Sequence, residues 1–145
     1  PDRLVEIIQH YKEKKDNKIL VILSGKRRDF LINELDKLSI NYLYKEMVDL
    51  KTVNELYNIL NLYIVSSRFE GGPQSVLECA ITKTPIISTD VGLASSVLSS
   101  SSIFDMDNYK IAVPDTDYAY KRVEDFKLIK SMPRYIKMLE YAFES

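Results

Sequence analysis

A chain of 145 residues, 46% hydrophobic and 28% charged, is long enough for one domain with a substantial buried core. Its 20 Lys+Arg against 21 Asp+Glu leave a net charge of −1, which excludes the global positive field that non-specific nucleic-acid binding or adhesion to an anionic membrane depends on. The single cysteine, Cys79, excludes an internal disulfide framework, and with the single histidine, His10, no cluster of His ligands is possible, so metal-centred and Ser-His-Asp chemistries are not expected.

No apolar stretch approaches the ~20 residues of a bilayer span, and Pro1-Asp2-Arg3 is neither a signal peptide nor an initiator start. The expectation is a soluble, cytosolic domain taken from a longer chain. Leu4, Ile7, Ile8 and Tyr11 recur at helical spacing behind Asp2, read as an N-cap, and predict a helix over residues 2–15. Residues 19–24, Ile-Leu-Val-Ile-Leu-Ser, are short and β-branched without polar alternation, the pattern of a parallel strand covered on both faces, and Gly25 ends them. Leu31, Leu35 and Leu38 predict a helix from Asp29, and residues 41–44 a second strand. Thr52 and Glu55 have the spacing of a capping box opening a helix through Leu60, before a buried strand over 62–66. A helix over 74–83 and a strand over 85–89 follow, then a serine loop at 99–102, a short strand at 111–113, and helices at 118–130 and 133–143.

Strands alternating with helices imply an α/β, Rossmann-like doubly wound parallel sheet with helices on both faces, in one domain over residues 1–145. Such a unit normally opens on a strand, whereas this chain opens on a helix, so the first strand is expected upstream. Without it, the sheet either closes up, pairing strand 19–24 with 62–66, or shows a gap there, and closure is the expectation because exposed apolar edges are costly. Ligands of such sheets sit beyond the carboxyl ends of the strands, which directs attention to the loops at 25–28, 45–51, 67–73 and 90–93.

The most informative of these is Ser66-Ser67-Arg68-Phe69-Glu70-Gly71-Gly72-Pro73-Gln74-Ser75-Val76-Leu77-Glu78. It leaves a strand, turns on two glycines and enters a helix near Pro73, a residue suited to the first helical position. A helix start at the carboxyl edge offers unpaired N–H groups to an anion, phosphate above all. Glu70 and Glu78 frame that start, and each carboxylate can accept from the two hydroxyls of a diol. A sugar nucleotide, with a phosphate between two polyols, meets both demands.

This segment resembles the signature of the retaining glycosyltransferases with the two-domain GT-B fold, family 4 (group 1): Glu, seven residues, Glu, preceded by Ser-Arg and followed by Thr-Pro-Ile-Ile and Asp-Val-Gly. Here these stand as Ser67-Arg68, Glu70 to Glu78, Thr84-Pro85-Ile86-Ile87 and Asp90-Val91-Gly92. The resemblance implies the C-terminal, donor-binding half of an enzyme that transfers a sugar from a nucleoside-diphosphate sugar to an acceptor such as a glycan or lipid. It makes Glu70 the catalytic candidate, holding donor-sugar hydroxyls, and Glu78 the ribose ligand. Gly71, Gly72, Gln74, Ser75 and Val76 would line the donor, with the nucleobase near residues 45–47, Met47 among them. Arg68 is read two ways, as a diphosphate contact or as a strand-end residue paired with a neighbouring acid. An N-terminal acceptor-binding domain of the same enzyme is the implied partner, and any attachment to the membrane surface would reside there; no metal or cofactor is implied. The chain departs from the family where Pro73 replaces a glycine and Gly92-Leu93-Ala94-Ser95-Ser96 replaces Gly-Gly-x-Pro-Glu, and the family's diphosphate-binding Arg and Lys precede Pro1. Alternatives are a non-catalytic nucleotide-sugar-binding module and half of a nucleotide-sugar epimerase.

Other features carry less. Ser24-Gly25-Lys26 fails as a phosphate loop, since Leu20 and Arg27 occupy its first-glycine and Ser/Thr positions, and the basic run 26–28 reads as a solvated face. Asp105-Met106-Asp107 reads as a turn, Cys79 as core, His10 as solvent-exposed, and Tyr11, Tyr57 and Tyr63 as core.

Overall fold

The computed structural model describes residues 1–16 and 18–144. Helices and strands alternate: α1 (Asp2–Lys14), β1 (Leu20–Ser24), α2 (Asp29–Lys37), β2 (Asn41–Lys45), α3 (Leu50–Ile59), β3 (Tyr63–Val65), α4 (Gln74–Thr82), β4 (Ile86–Thr89), α5 (Ala94–Val97), β5 (Ile103–Phe104), α6 (Thr116–Val123) and α7 (Leu128–Glu144). Every strand pair is parallel, with Leu20 opposite Asn41, Tyr63 opposite Ile86, and Ser88 opposite Ile103 at the starts of the three ladders. The expected α/β architecture, parallel strands flanked by helices, is the one observed.

The strands do not, however, join into one sheet. β1 and β2 form a two-stranded sheet and β3-β4-β5 a three-stranded one, so the expected closure of β1 on β3 does not occur. The two sheets are joined instead through α1, whose successive buried residues serve both. Ile7 packs with Ile87, Phe104, Tyr109 and Ile64, on the three-stranded side. Ile8 packs with Leu23, Leu31, Leu35 and Ile40, on the two-stranded side. A helix with its side chains is ~10 Å wide, about twice the spacing of hydrogen-bonded strands, so one helix reaches both sheets and packs them together where no strand pairing does. The consequence is visible in burial: β4 is buried along its length, whereas β1, the more apolar strand, buries only Leu23 and leaves Leu20 62% exposed.

The largest core cluster lies between the three-stranded sheet and the helices covering it, with Tyr57, Val65, Val76, Cys79, Ala80 and Val123 at its centre. On this side Thr84, itself buried, donates its hydroxyl to the Tyr57 carbonyl at 2.8 Å and links α3 to the start of β4.

Several local expectations are corrected. Asp2 is the first helical residue of α1 rather than its cap, which is Pro1. The cap of α3 is Asp49, whose carboxylate accepts from the Thr52 amide at 2.7 Å, so the helix begins two residues before the Thr52–Glu55 box. The strand expected at 111–113 is a 3-10 turn over Tyr109–Ile111, and the pairing on β4 is made instead by Ile103–Phe104. The serine run is only in part a surface loop, because its 3-10 turn at Ser100–Ser102 buries Ser102, whose hydroxyl donates to the Val113 carbonyl. The helix expected over 118–130 breaks after Val123, and the last helix starts at Leu128 and runs through Pro133. The Ser131 hydroxyl bonds the Lys127 and Leu128 carbonyls just before that proline.

If α1 packs the two sheets together, Ile7→Ala should cost about 2–5 kcal/mol in urea unfolding, the range for emptying a fully buried aliphatic site. Leu20→Ala, in the apolar but exposed strand, should stay within about 0.5 kcal/mol.

Candidate functional site

The loop from β3 to α4 leaves the carboxyl end of the three-stranded sheet. Its stem is held by Thr89, at the end of β4, whose hydroxyl donates to the Ser67 carbonyl at 2.8 Å. Pro73 caps α4 with φ −67°, as a proline ring requires, and the first turn of the helix, Gln74, Ser75 and Val76, follows at the turn's exit. Gln74 is exposed, Ser75 half-buried and Val76 fully buried, and the Val76 amide donates to the Pro73 carbonyl at 3.0 Å, so Val76 shapes the turn from within and presents neither side chain nor N–H to a ligand. Glu70, Gly71 and Gly72 are exposed.

The glycines divide the work differently from the sequence expectation. A Cβ on Gly71 would meet nothing within 4 Å, and one on Gly72 only the Leu93 side chain at 3.7 Å. The close approach is made by Gly92, at φ +55°, where a Cβ would stand 2.9 Å from the Gly72 nitrogen and 3.0 Å from the Glu70 carbonyl oxygen. The loop after β4 therefore presses backbone to backbone on the loop after β3, and only a glycine fits there. The open space is on the side of Gly71, where a ligand has room.

Glu78 lies on α4, one further turn into the helix. Its side chain is exposed, yet Oε2 accepts a hydrogen bond of 2.7 Å from the Tyr57 hydroxyl, which reaches across from α3. Burial, then the hydrogen bond to Glu78, pushes the Tyr57 hydroxyl far above the usual phenol range, so it remains a donor at every physiological pH. The Tyr57 ring packs 5.6 Å from that of Tyr63. Periodicity assigned Tyr57 to the core, correctly, but carried no sign of where its hydroxyl would point. Cys79, beside Glu78, is fully buried, and burial raises its thiol well above the usual range, which leaves it a core residue.

Of the two readings of Arg68, the geometry displays the paired one. Its guanidinium donates to both carboxylate oxygens of Asp2, at 3.1 and 2.6 Å. The pair ties the start of α1 to the carboxyl end of β3, holds the Asp2 carboxyl well below its ordinary range and raises Arg68. Met47 is 75% exposed beyond the end of β2, where the Gly25 amide bonds the Glu46 carbonyl at 3.1 Å and joins the loops after β1 and β2. Residues 26–28 are exposed, with Arg28 folded back on the Ser24 carbonyl. Asp105 accepts from the Asp107 and Asn108 amides, closing the turn expected there. His10, expected to be solvent-exposed, is half-buried: its ring meets those of Tyr11 and Tyr109 edge-on, each at 5.7 Å. Among the described residues no cluster of three or more His, Cys, Asp or Glu could hold a metal ion, and no helix is long and apolar enough to cross a membrane.

The model of the family described as "Glycosyl transferases group 1" matches residues 1–138. The chain belongs to this family. Two solved structures share its fold. "Crystal Structure of TarM" superposes with a TM-score of 0.73 at 17% identity, over 99% of this chain and 32% of that one. "Crystal structure of GtfA/B complex" does so with a TM-score of 0.71 at 13% identity, over 99% and 33%. The group 1 domain therefore has the Rossmann-like form found in GT-B glycosyltransferases and spans about a third of the length of these structures. No curated protein sequence matches it.

Two outcomes follow from this geometry. Gly92→Ala should lose at least about 1–2 kcal/mol in chemical denaturation from its left-handed backbone alone, before the clash with the Glu70 turn, whereas Gly71→Ala should be within about 0.5 kcal/mol of the parent. Asp2 has a depressed folded pKa, so what the Arg68 pair adds to stability is present above the carboxyl's ordinary value of 3.8 and lost as pH falls through the lower folded value. The melting-temperature gap between parent and Asp2→Asn should accordingly be open at pH 6 and shrink as the pH is taken below 3.8.

Proposed function

We propose that this chain is the donor-binding domain of a retaining glycosyltransferase of family 4, which moves a sugar from a nucleoside-diphosphate sugar to an acceptor such as a glycan or lipid. The observation that carries the proposal is the β3–α4 turn: open on the Gly71 side, buttressed from behind by Gly92, and flanked by Glu70 and by a Glu78 anchored on Tyr57. In this reading the diphosphate lies against the start of α4, where the N–H groups of Gln74 and Ser75 and the helix dipole meet the negative charge that grows as the bond to the sugar breaks, while the Val76 N–H is held by the Pro73 carbonyl. Glu70 orients the sugar from its hydroxyls and is the group nearest the reacting carbon. Glu78 accepts from the ribose hydroxyls, and the nucleobase rests by residues 45–47, where exposed Met47 offers an apolar surface. The acceptor oxygen replaces the diphosphate oxygen at the anomeric carbon on the same face.

The remainder of the cleft is proposed to come from an acceptor-binding domain of the same enzyme, in the cytoplasm, with any membrane contact made by that domain. A strand from the chain before Pro1 is proposed to fill the opening between β1 and β3. The Asp2–Arg68 pair supports this, because it starts α1 beside the carboxyl end of β3, the point from which a parallel strand in that opening would deliver the chain. A second reading, a nucleotide-sugar-binding module without catalysis, is favoured by the same ion pair, since the cation next to the turn in sequence is committed to Asp2.

Under the first reading the 145-residue chain alone should transfer no sugar and bind nucleotides weakly; robust turnover by it would overturn the half-enzyme assignment. In a chain carrying the complete cleft, calorimetry should separate the glutamates. Glu78→Gln should weaken nucleoside diphosphate and intact donor alike, by about 1.5–3 kcal/mol for one hydrogen bond to a charged group. Glu70→Gln should spare the nucleoside diphosphate and weaken only the sugar-bearing donor. Equal losses for both ligands in both variants would refute these roles.

A further inference from the structure

We infer that Tyr57 is a positioning residue for the nucleoside half of the donor, its buried hydroxyl fixing the Glu78 carboxylate in the orientation that receives the two ribose hydroxyls. The inference rests on the ribose role proposed for Glu78 and goes beyond it by naming what holds that side chain in place. A glutamate on an exposed helix face ordinarily samples many rotamers and must be ordered when a ligand arrives. Glu78 is exposed in this way, yet Oε2 is engaged at 2.7 Å by the Tyr57 hydroxyl. Tyr57 is itself immobile: only 8% exposed, its ring against Tyr63 and its carbonyl bonded by Thr84. The hydrogen bond is charge-assisted, from a hydroxyl that does not ionise, so it persists across the working pH range. It occupies one lone pair of a carboxylate that can accept several hydrogen bonds, and leaves acceptor sites for a diol.

A purely structural tyrosine would support folding and leave ligand discrimination untouched, so the test reads discrimination. Uridine, guanosine and adenosine diphosphates and their 2′-deoxy counterparts are titrated into the chain and followed by NMR, for the parent, Tyr57→Phe, Glu78→Gln and the double variant. Phenylalanine keeps the ring in the core, and melting curves check that each variant is folded. Tyr57→Phe should weaken the best ribonucleoside diphosphate roughly tenfold, the scale of one hydrogen bond to a charged group, and its 2′-deoxy counterpart, which keeps one of the two hydroxyls, by a clearly smaller factor, about threefold. The double variant should be no weaker than Glu78→Gln alone, because the tyrosine acts through the glutamate. If Glu78→Gln weakens the ribonucleotide and Tyr57→Phe leaves both affinity and the ribose preference as in the parent, the positioning role is overturned and the ribose role stands. If Glu78→Gln binds like the parent, or no nucleoside diphosphate binds the parent at all, the ribose role falls and the inference with it.

Discussion

The structure depends on one helix packing over two sheets. Ile7 and Ile8 are adjacent in sequence and about 100° apart around α1, so they reach different strands, and each is buried by a different cluster. Strand pairing would favour closing β1 onto β3, because two open apolar edges are costly. The two strands nevertheless stay unpaired, and the exposed apolar surface of β1 is the consequence.

The position of α1 reaches the candidate site through charge. Asp2 opens the helix and is gripped by both ends of the Arg68 guanidinium fork, three residues after the end of β3. A residue that the sequence leaves between a phosphate contact and an acid's partner is thus a strut between the first helix and the loop carrying Glu70. The pair is exposed and salt-sensitive, so its importance is in placement more than in stability.

The site is assembled from backbone first and side chains second. Thr89 holds the stem of the loop after β3, and Gly92 is pressed against its turn, so two consecutive strand ends define one surface. Upon that frame the two glutamates differ in kind. Glu70 sits on the turn itself, exposed, whereas Glu78 is tied to a buried hydroxyl from a neighbouring helix. One carboxylate lies open on the turn and the other is prearranged by its hydrogen bond.

Much of this was legible in the sequence because it is local. The apolar spacing of Leu31, Leu35 and Leu38, the β-branched runs, and the order Glu70, two glycines, Pro73, Glu78 each depend on residues within a few positions of one another, and they determined the element types, the parallel α/β class and the segment worth examining. Boundaries failed where a competing local group won, as when Asp49 capped α3 ahead of Thr52. What only the tertiary structure decided are relations between distant residues: the break between β1 and β3, the Asp2–Arg68 pair across 66 positions, the pressure of Gly92 on Gly72, and the Tyr57 hydroxyl on Glu78 across 21. Periodicity states which face of an element is apolar; it does not state which neighbour covers that face or where a polar tip on it will point, since both are set by how the elements pack.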